Sequence, residues 1–267
     1  MAKDTGALFA STASYYARYR PGYPPEVFAH LVDTLGLDGR QRVLDLGCGP
    51  GTVAIPLAPF VERVVAADPQ PEMIKVGART AHAAGVADVI EWRVAGSASI
   101  AELGADGPYD LVTMGSSFHW MDREAVLADL ARVTTSEAAV VLLGDPPPEW
   151  GAEAPWADDI KDLRRRYLGT DRRAGSGSGT DPAERHEDVL RRSAFAHVTT
   201  TNWAWTLERT VDELVGLQFS YSFSSPALLG ARQQDYASQV RDVLMRHAPD
   251  GMISTQHDTE LIIARRR

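Results

Sequence analysis

The stretch Val43-Leu44-Asp45-Leu46-Gly47-Cys48-Gly49-Pro50-Gly51 sets a short apolar strand directly before three glycines at alternate positions. Such a chain leaves its strand through a tight turn and lets a ligand approach backbone where a Cβ would collide. Glycine also has purely structural uses at such turns, so the surroundings decide. Thr52 to Ala58 reads as a short helix limited by Pro56, which completes strand, loop and helix. The dinucleotide spacing G-x-G-x-x-G/A, begun at Gly47, requires glycine or alanine where Thr52 stands, and it fails there. Asp45, two residues before the loop, repels a pyrophosphate and attracts an ammonium.

Outward from this loop the same alternation continues. Pro25 to Leu35 has helical spacing and ends at Gly36, and a Tyr-rich arm precedes it. Arg63 to Ala67 is an apolar strand ending at Asp68, Pro71 to Ala84 a helix closed by Gly85, and Val89 to Val94 a third strand. Asp110 to Met114, Asp122 to Val133 and Ala138 to Leu143 add strand, helix and strand. Strands alternating with helices imply an α/β fold whose parallel sheet is covered on both faces. The pattern breaks at Asp145-Pro146-Pro147-Pro148, and a polar stretch runs through Gly175-Ser176-Gly177-Ser178-Gly179, which no regular element holds. Either a lid or a tolerated surface loop has this composition. Asp181-Pro182 restarts a helix to about Phe195, followed by a strand near His197 to Leu207, two helical stretches and a last strand near Thr259 to Ala264.

With 267 residues, the chain has room for one α/β domain carrying an insertion. A net charge of -9 argues against a sequence-independent grip on nucleic acid, so a small molecule or a protein is the expected partner. The single cysteine, Cys48, excludes an internal disulfide, and the histidines have no metal-ligand spacing. No apolar run reaches membrane-spanning length, and the N-terminus has no secretory pattern. A cytoplasmic protein, monomer or homodimer, is expected.

Asp68 stands 23 residues after Asp45, near the spacing at which an acid reaches ribose hydroxyls in nucleotide-binding sheets; followed by Pro69, it also suits the cap of the next helix. With Val43 to Gly51, it resembles the first two motifs of class I S-adenosylmethionine-dependent methyltransferases. Tyr16-Ala17-Arg18-Tyr19-Arg20-Pro21-Gly22-Tyr23-Pro24 and Ser117-Phe118-His119-Trp120-Met121-Asp122 are similar to segments of a small-molecule subgroup that includes the trans-aconitate type. The resemblance implies a Rossmann-like, doubly wound, mostly parallel seven-stranded sheet with an N-terminal arm and an insertion capping the site. It divides the chain into an arm and helix (1–36), a cofactor-binding core (37–144), an insertion (145–196) and a C-terminal part completing sheet and acceptor pocket (197–267).

The same resemblance implies S-adenosylmethionine as cofactor and S-adenosylhomocysteine as product. The expected cofactor residues are Asp45, Gly47, Cys48, Gly49, Gly51, Asp68, Pro69, Met73, Ser97, Ala98 and Ser116, with Tyr16 and Arg20 from the arm. Gly96-Ser97-Ala98-Ser99 departs from the family's Gly-Asp-Ala-Glu, so Ser97 stands where an acid usually meets the adenine amino group. Tyr15, Tyr19, Tyr23, Phe118 and Trp120 are the expected acceptor residues, although tyrosines at this spacing also suit a helix packing on a core. His119 is either a general base or a wall of the cofactor pocket. The function that follows is methylation of a small molecule at oxygen, nitrogen or carbon. The alternatives are a non-methylating biosynthetic reaction, or a non-catalytic partner subunit.

Overall fold

The computed structural model describes residues 5–144, 154–169, 173–174, 177–178 and 184–266. In chain order the elements begin with α1 (Thr5–Tyr19), α2 (Pro25–Leu35), β1 (Arg42–Leu46), α3 (Ala54–Leu57), β2 (Arg63–Asp68), α4 (Pro71–Ala83) and β3 (Ile90–Val94). They continue with α5 (Ile100–Leu103), β4 (Tyr109–Gly115), α6 (Arg123–Val133), β5 (Thr134–Gly144), α7 (Ala157–Leu168), β6 (Arg173–Ala174), β7 (Gly177–Ser178) and α8 (His186–Arg191). The last are β8 (His197–Thr210), α9 (Val211–Gln218), α10 (Pro226–Leu229), α11 (Gln233–His247) and β9 (Met252–Arg265). The chain forms two compact units. One holds residues 22–145, 182–203 and 259–267; the other holds 1–21, 146–181 and 204–258.

The first unit is built on the sheet, whose order is β3-β2-β1-β4-β5-β9-β8. Strands β1 to β5 pair in parallel and β9 lies antiparallel to β5, which makes the mostly parallel, seven-stranded, doubly wound sheet expected from the sequence. Successive side chains of a strand point to opposite faces, and here both faces are covered. Val43, Val64, Ala66, Leu111 and Val141 pack with Val27, Phe28 and Leu31 of α2 and Ile74 of α4. Leu44, Val65, Ala67, Val112 and Val140 pack on the other side with Ile100 and Leu103 of α5, Val126, Leu127 and Leu130 of α6, and Leu190 of α8. This double burial is why the strands read as continuous apolar runs. Gly36, in the left-handed region at φ 62°, ends α2, and Asp122 caps α6 by accepting from the Ala125 amide at 3.2 Å.

The second unit has its own core, in which Trp156, Ile160 and Leu163 around α7 meet Leu214 and Leu217 of α9, Tyr236, Val240 and Leu244 of α11, and Ile253 of β9. These groupings cut across the four segments read from sequence. Helix α2, grouped there with the arm, packs in the sheet unit because Val27 and Leu31 are wholly buried against its strands. The arm is itself a helix, α1, in the second unit.

Three elements differ from expectation. Helix α7 lies inside the segment read as polar and irregular; its Ala157, Ile160 and Leu163 recur at helical spacing but are diluted by charges. Strand β9 begins seven residues early, with Ile253, Thr255 and His257 buried at alternate positions. Gly177 and Ser178 belong to the short pair β6 and β7, whereas Asp145–Pro148, Gly175, Ser176, Gly179 and Asp181–Pro182 lie outside the described residues.

Candidate active site

Strand β1 delivers the glycine loop to the carboxyl edge of the sheet. Gly47, Gly49 and Gly51 have φ of 70°, 54° and 88°, a region where a Cβ is strained. The three glycines differ in what surrounds them. A Cβ on Gly47 would lie 2.6 Å from the Ser117 Cβ, and one on Gly51 would lie 2.7 Å from the Trp92 ring, so both also serve packing. A Cβ on Gly49 would meet nothing within 4 Å. The loop is fixed by amides of Gly47 and Cys48 donating to the Ala67 carbonyl at 2.8 and 3.0 Å.

The two carboxylates have different roles. Asp45 is completely buried; it accepts from Thr113 Oγ1 at 2.8 Å and from the Ala54 amide at 3.2 Å. Loss of hydration pushes its pKa up to about 7, with those two hydrogen bonds opposing and nearby Asp68 adding to the rise. The carboxyl expected to attract an ammonium is thus committed to joining β1, β4 and α3, and near neutral pH it carries only part of a charge. Asp68 is 8% exposed and accepts from the Gly49 amide at 3.0 Å and, through its other oxygen, from the Gln70 amide at 2.8 Å. Burial raises its pKa, and the hydrogen bonds from Gln70 and Gly49 lower it. Gln70 is the residue just before α4, so Asp68 fixes the approach to that helix without capping its first turn, which has no side-chain cap bond. A carboxylate accepts at about four lone-pair positions, so room for two hydroxyl donors remains.

Beside Asp68, Pro69 is exposed and Met73 buried. The Ala95 amide donates to the Asp68 carbonyl at 3.1 Å, and a Cβ on Gly96 would stand 3.7 Å from the Pro69 Cβ. This brings the turn Ser97–Ser99 next to Pro69, with Ser97 half-buried and Ala98 exposed. At the end of β4, exposed Ser116 has φ 50° and its amide donates to the Leu143 carbonyl at 2.8 Å. The Tyr23 hydroxyl lies 3.4 Å from both Ser116 Oγ and that carbonyl.

The turn Phe118–Trp120 follows. His119 and Trp120 are exposed, their ring centroids 4.8 Å apart. Phe118, read from sequence as an acceptor residue, is instead 2% exposed, in the core under α6 and edge-on to His186 at 5.2 Å. In a three-residue turn one large apolar side chain anchors the other two.

Residues 43–137 match the model of a methyltransferase domain. An uncharacterized methyltransferase of Mycobacterium tuberculosis is 30% identical over 247 residues, 92% of this chain and 88% of that protein. The chain belongs to the methyltransferase family. A trans-aconitate 2-methyltransferase of the same organism is 30% identical over 108 residues, 40% of this methyltransferase and 37% of the relative. Among solved structures, the cyclase SpnF aligns with 100% of the methyltransferase and 96% of its own chain at TM-score 0.56 and 15% identity, a likeness of fold alone.

The arm residues Tyr15, Tyr16, Tyr19 and Arg20 lie in the second unit of the methyltransferase. Tyr15 and Tyr19 are half-buried against its core, with a Cβ on Gly216 set to collide with the Tyr19 ring at 2.5 Å. Arg20 lies over the rings of Tyr16 and Tyr221, with Cζ 5.1 and 4.1 Å from their centroids. Cys48 is buried, its thiol pKa driven well up by burial and then by Asp45 and Asp68. Three supporting residues escaped the sequence reading. Thr113 is the lone polar residue in the buried run Leu111–Met114, a signal of a buried partner. Ser117 donates to the Leu46 carbonyl at 2.8 Å, tying the β4 turn to the glycine loop. The Trp92 ring fills the space that Gly51 and Gly77 leave open, and nothing local in the sequence announces that contact.

Proposed function

We propose that this methyltransferase uses S-adenosylmethionine to methylate an oxygen, nitrogen or carbon nucleophile of a small molecule. The observation that supports it best is the junction of Asp68 with Gly49. One carboxylate pins the loop amide and keeps hydroxyl-accepting capacity, beside the glycine whose Cβ side is open. That fits a ribose. The stretch Gly47–Val53 contains no lysine or arginine, which suits a cofactor without phosphates.

When bound, S-adenosylmethionine supplies a methyl group on a positively charged sulfur, which the acceptor's electron pair displaces in line as the carbon–sulfur bond breaks. The protein's share is alignment and exclusion of water. Asp68 accepts the ribose hydroxyls, Pro69 and Met73 bound the adenine, and Ser97 and the Ala98 amide meet its polar edge. Ser97 offers a neutral acceptor where related enzymes offer a charge. His119 takes the proton of a hydroxyl or amine acceptor or, if the nucleophile carries none, walls the site with Trp120. Tyr15, Tyr16, Tyr19, Arg20 and Tyr23 enter on the sequence resemblance alone; a cytoplasmic setting enters on the single cysteine and the sequence pattern, and a monomeric or homodimeric state is carried as an expectation.

Isothermal titration with S-adenosylhomocysteine tests the cofactor. Wild-type protein binds, and Asp68→Asn weakens binding by about tenfold or more, because an acceptor of charge-assisted hydrogen bonds is neutralised. Absence of binding at millimolar ligand sinks the proposal. Mass analysis of turnover must then find S-adenosylhomocysteine and a product heavier by one methylene; a rearranged product of unchanged mass would establish the non-methylating alternative.

A further inference from the structure

The sheet unit has a cleft at the edge away from the glycine loop. Strand β9 runs antiparallel to β5, so Glu260 pairs with Gly144 at the carboxyl edge and Arg265 with Ala139 toward the other. The Ser116 turn of the candidate active site bonds to Leu143, and the strand from Leu143 back to Ala139 spans roughly 13 Å. At that far end a cleft of about 510 Å³ opens, lined from the ends of α2, α8 and β9 and the start of β8. All of these segments belong to the sheet unit.

The chain carries 36 acidic residues against 27 basic ones. Among the described residues lining this cleft there is nevertheless no carboxylate, while Arg191, His197 and Arg265 all face it. Their own bonding leaves donors to spare. Arg191 Nη1 donates to Asp188 at 2.8 Å, an exposed pair within one helix that holds weakly. Arg265 Nη2 donates to the Thr34 carbonyl, which fixes the side chain against α2 without neutralising it. Each guanidinium offers a fork of N–H groups that one such bond does not exhaust. The His197 ring has no hydrogen-bond or ion-pair partner among the described residues. Thr199, on the same face of β8 as His197, reaches the Ile263 carbonyl only at 3.5 Å, so its hydroxyl is easily turned toward a ligand.

A planar carboxylate is satisfied by a single arginine fork, whereas a phosphate accepts through oxygens spread around phosphorus. Donors that converge from α8, β8 and β9 suit the tetrahedral group. The cleft is also far larger than one phosphate and falls within the range of small-molecule sites, about 300–1,000 Å³, with Ala196 as apolar wall for the body of the ligand. We propose that Arg191, His197 and Arg265 form a binding site for a phosphorylated small molecule, on the sheet edge opposite the candidate active site. This assignment stands apart from the methyl-transfer reading.

Isothermal titration of the full chain with inorganic pyrophosphate, and with citrate as a multiply charged carboxylate, tests it. Pyrophosphate binds the wild type, with affinity falling as salt rises, and citrate binds at least about tenfold more weakly. Arg265→Gln weakens pyrophosphate binding by about tenfold or more, the loss of a charge-assisted hydrogen bond. Arg265→Lys keeps the charge without the fork and recovers only part. Arg191→Gln, at an exposed position, gives the same weakening and carries the comparison if losing the Thr34 contact unfolds the Arg265 variants. The site is refuted if pyrophosphate fails to bind at millimolar concentration, or binds both glutamine variants as it binds the wild type; citrate binding equally well overturns the phosphate class. S-Adenosylhomocysteine titrated into the same samples separates this site from the cofactor's. It leaves pyrophosphate bound, whereas displacement would put the anion at the glycine loop and refute the cleft. Cofactor binding without pyrophosphate binding removes this site alone, and the reverse removes only the cofactor reading.

Discussion

At the scale of single residues, Asp45 makes stability depend on pH in an unusual direction. Its folded pKa of about 7 exceeds the ordinary 3.8, so between those values the native state holds a proton that the unfolded chain has released. Stability therefore falls as pH rises through this window, by up to about 4 kcal/mol from this group at 1.36 kcal/mol per unit. Burial of Asp68 acts in the same sense. Asp45→Asn keeps an oxygen for Thr113 and removes the titration, so urea unfolding at pH 5 and pH 8 differs less in the variant than in the wild type. Equal differences would dismiss Asp45 as the source. At Gly47 the loop meets a steric limit. With φ 70° and a Cβ site 2.6 Å from Ser117, Gly47→Ala costs about 3 kcal/mol or more. Adding Ser117→Gly relieves the clash but not the dihedral, and a double-mutant cycle reads the coupling; strict additivity would refute the contact.

At the scale of elements, the turn after β4 divides its labour between neighbours. Phe118→Ala opens a cavity in the core and lowers unfolding free energy by about 3–5 kcal/mol. His119→Ala, at an exposed position, changes it by no more than about 0.5 kcal/mol. Thermal and urea unfolding separate the two, and comparable destabilisation would contradict the geometry. In kinetics, loss of kcat with cofactor affinity kept marks His119 as a base, whereas weakened binding marks it as a wall. This turn also shows where sequence legibility ends. Strands β1 to β5 and helices α2, α4 and α6 were readable because periodicity and glycine or proline punctuation agree with burial. The position of Asp68 at the end of β2 was readable because an apolar run leads into it. Phe118, His119 and Trp120 sit within one turn, and which of them faces inward depends on α6 and α8 packing from elsewhere in the chain. Asp45 was read as facing an ammonium, whereas its orientation toward Thr113 depends on a partner 68 residues away. Helix α7 was hidden because charges outnumber its core positions.

At the scale of the whole molecule, each unit has its own apolar core. A ligand that binds only the folded sheet unit stabilises it by mass action, about 2.7 kcal/mol at a hundredfold excess over Kd. S-Adenosylhomocysteine at that excess raises the melting temperature, followed by circular dichroism; no shift at saturating ligand would remove the cofactor assignment.

Strand β9 sits between β5 and β8 in the sheet, although it is the latest of the nine in sequence. A ribosome therefore delivers the edge of the sheet before its interior. Until residues 259–265 emerge, β5 and β8 both present open backbone, the kind of edge that recruits other chains. The nascent protein must be kept from aggregating until β9 is made, and shortening the chain before Thr259 would make that hazard permanent.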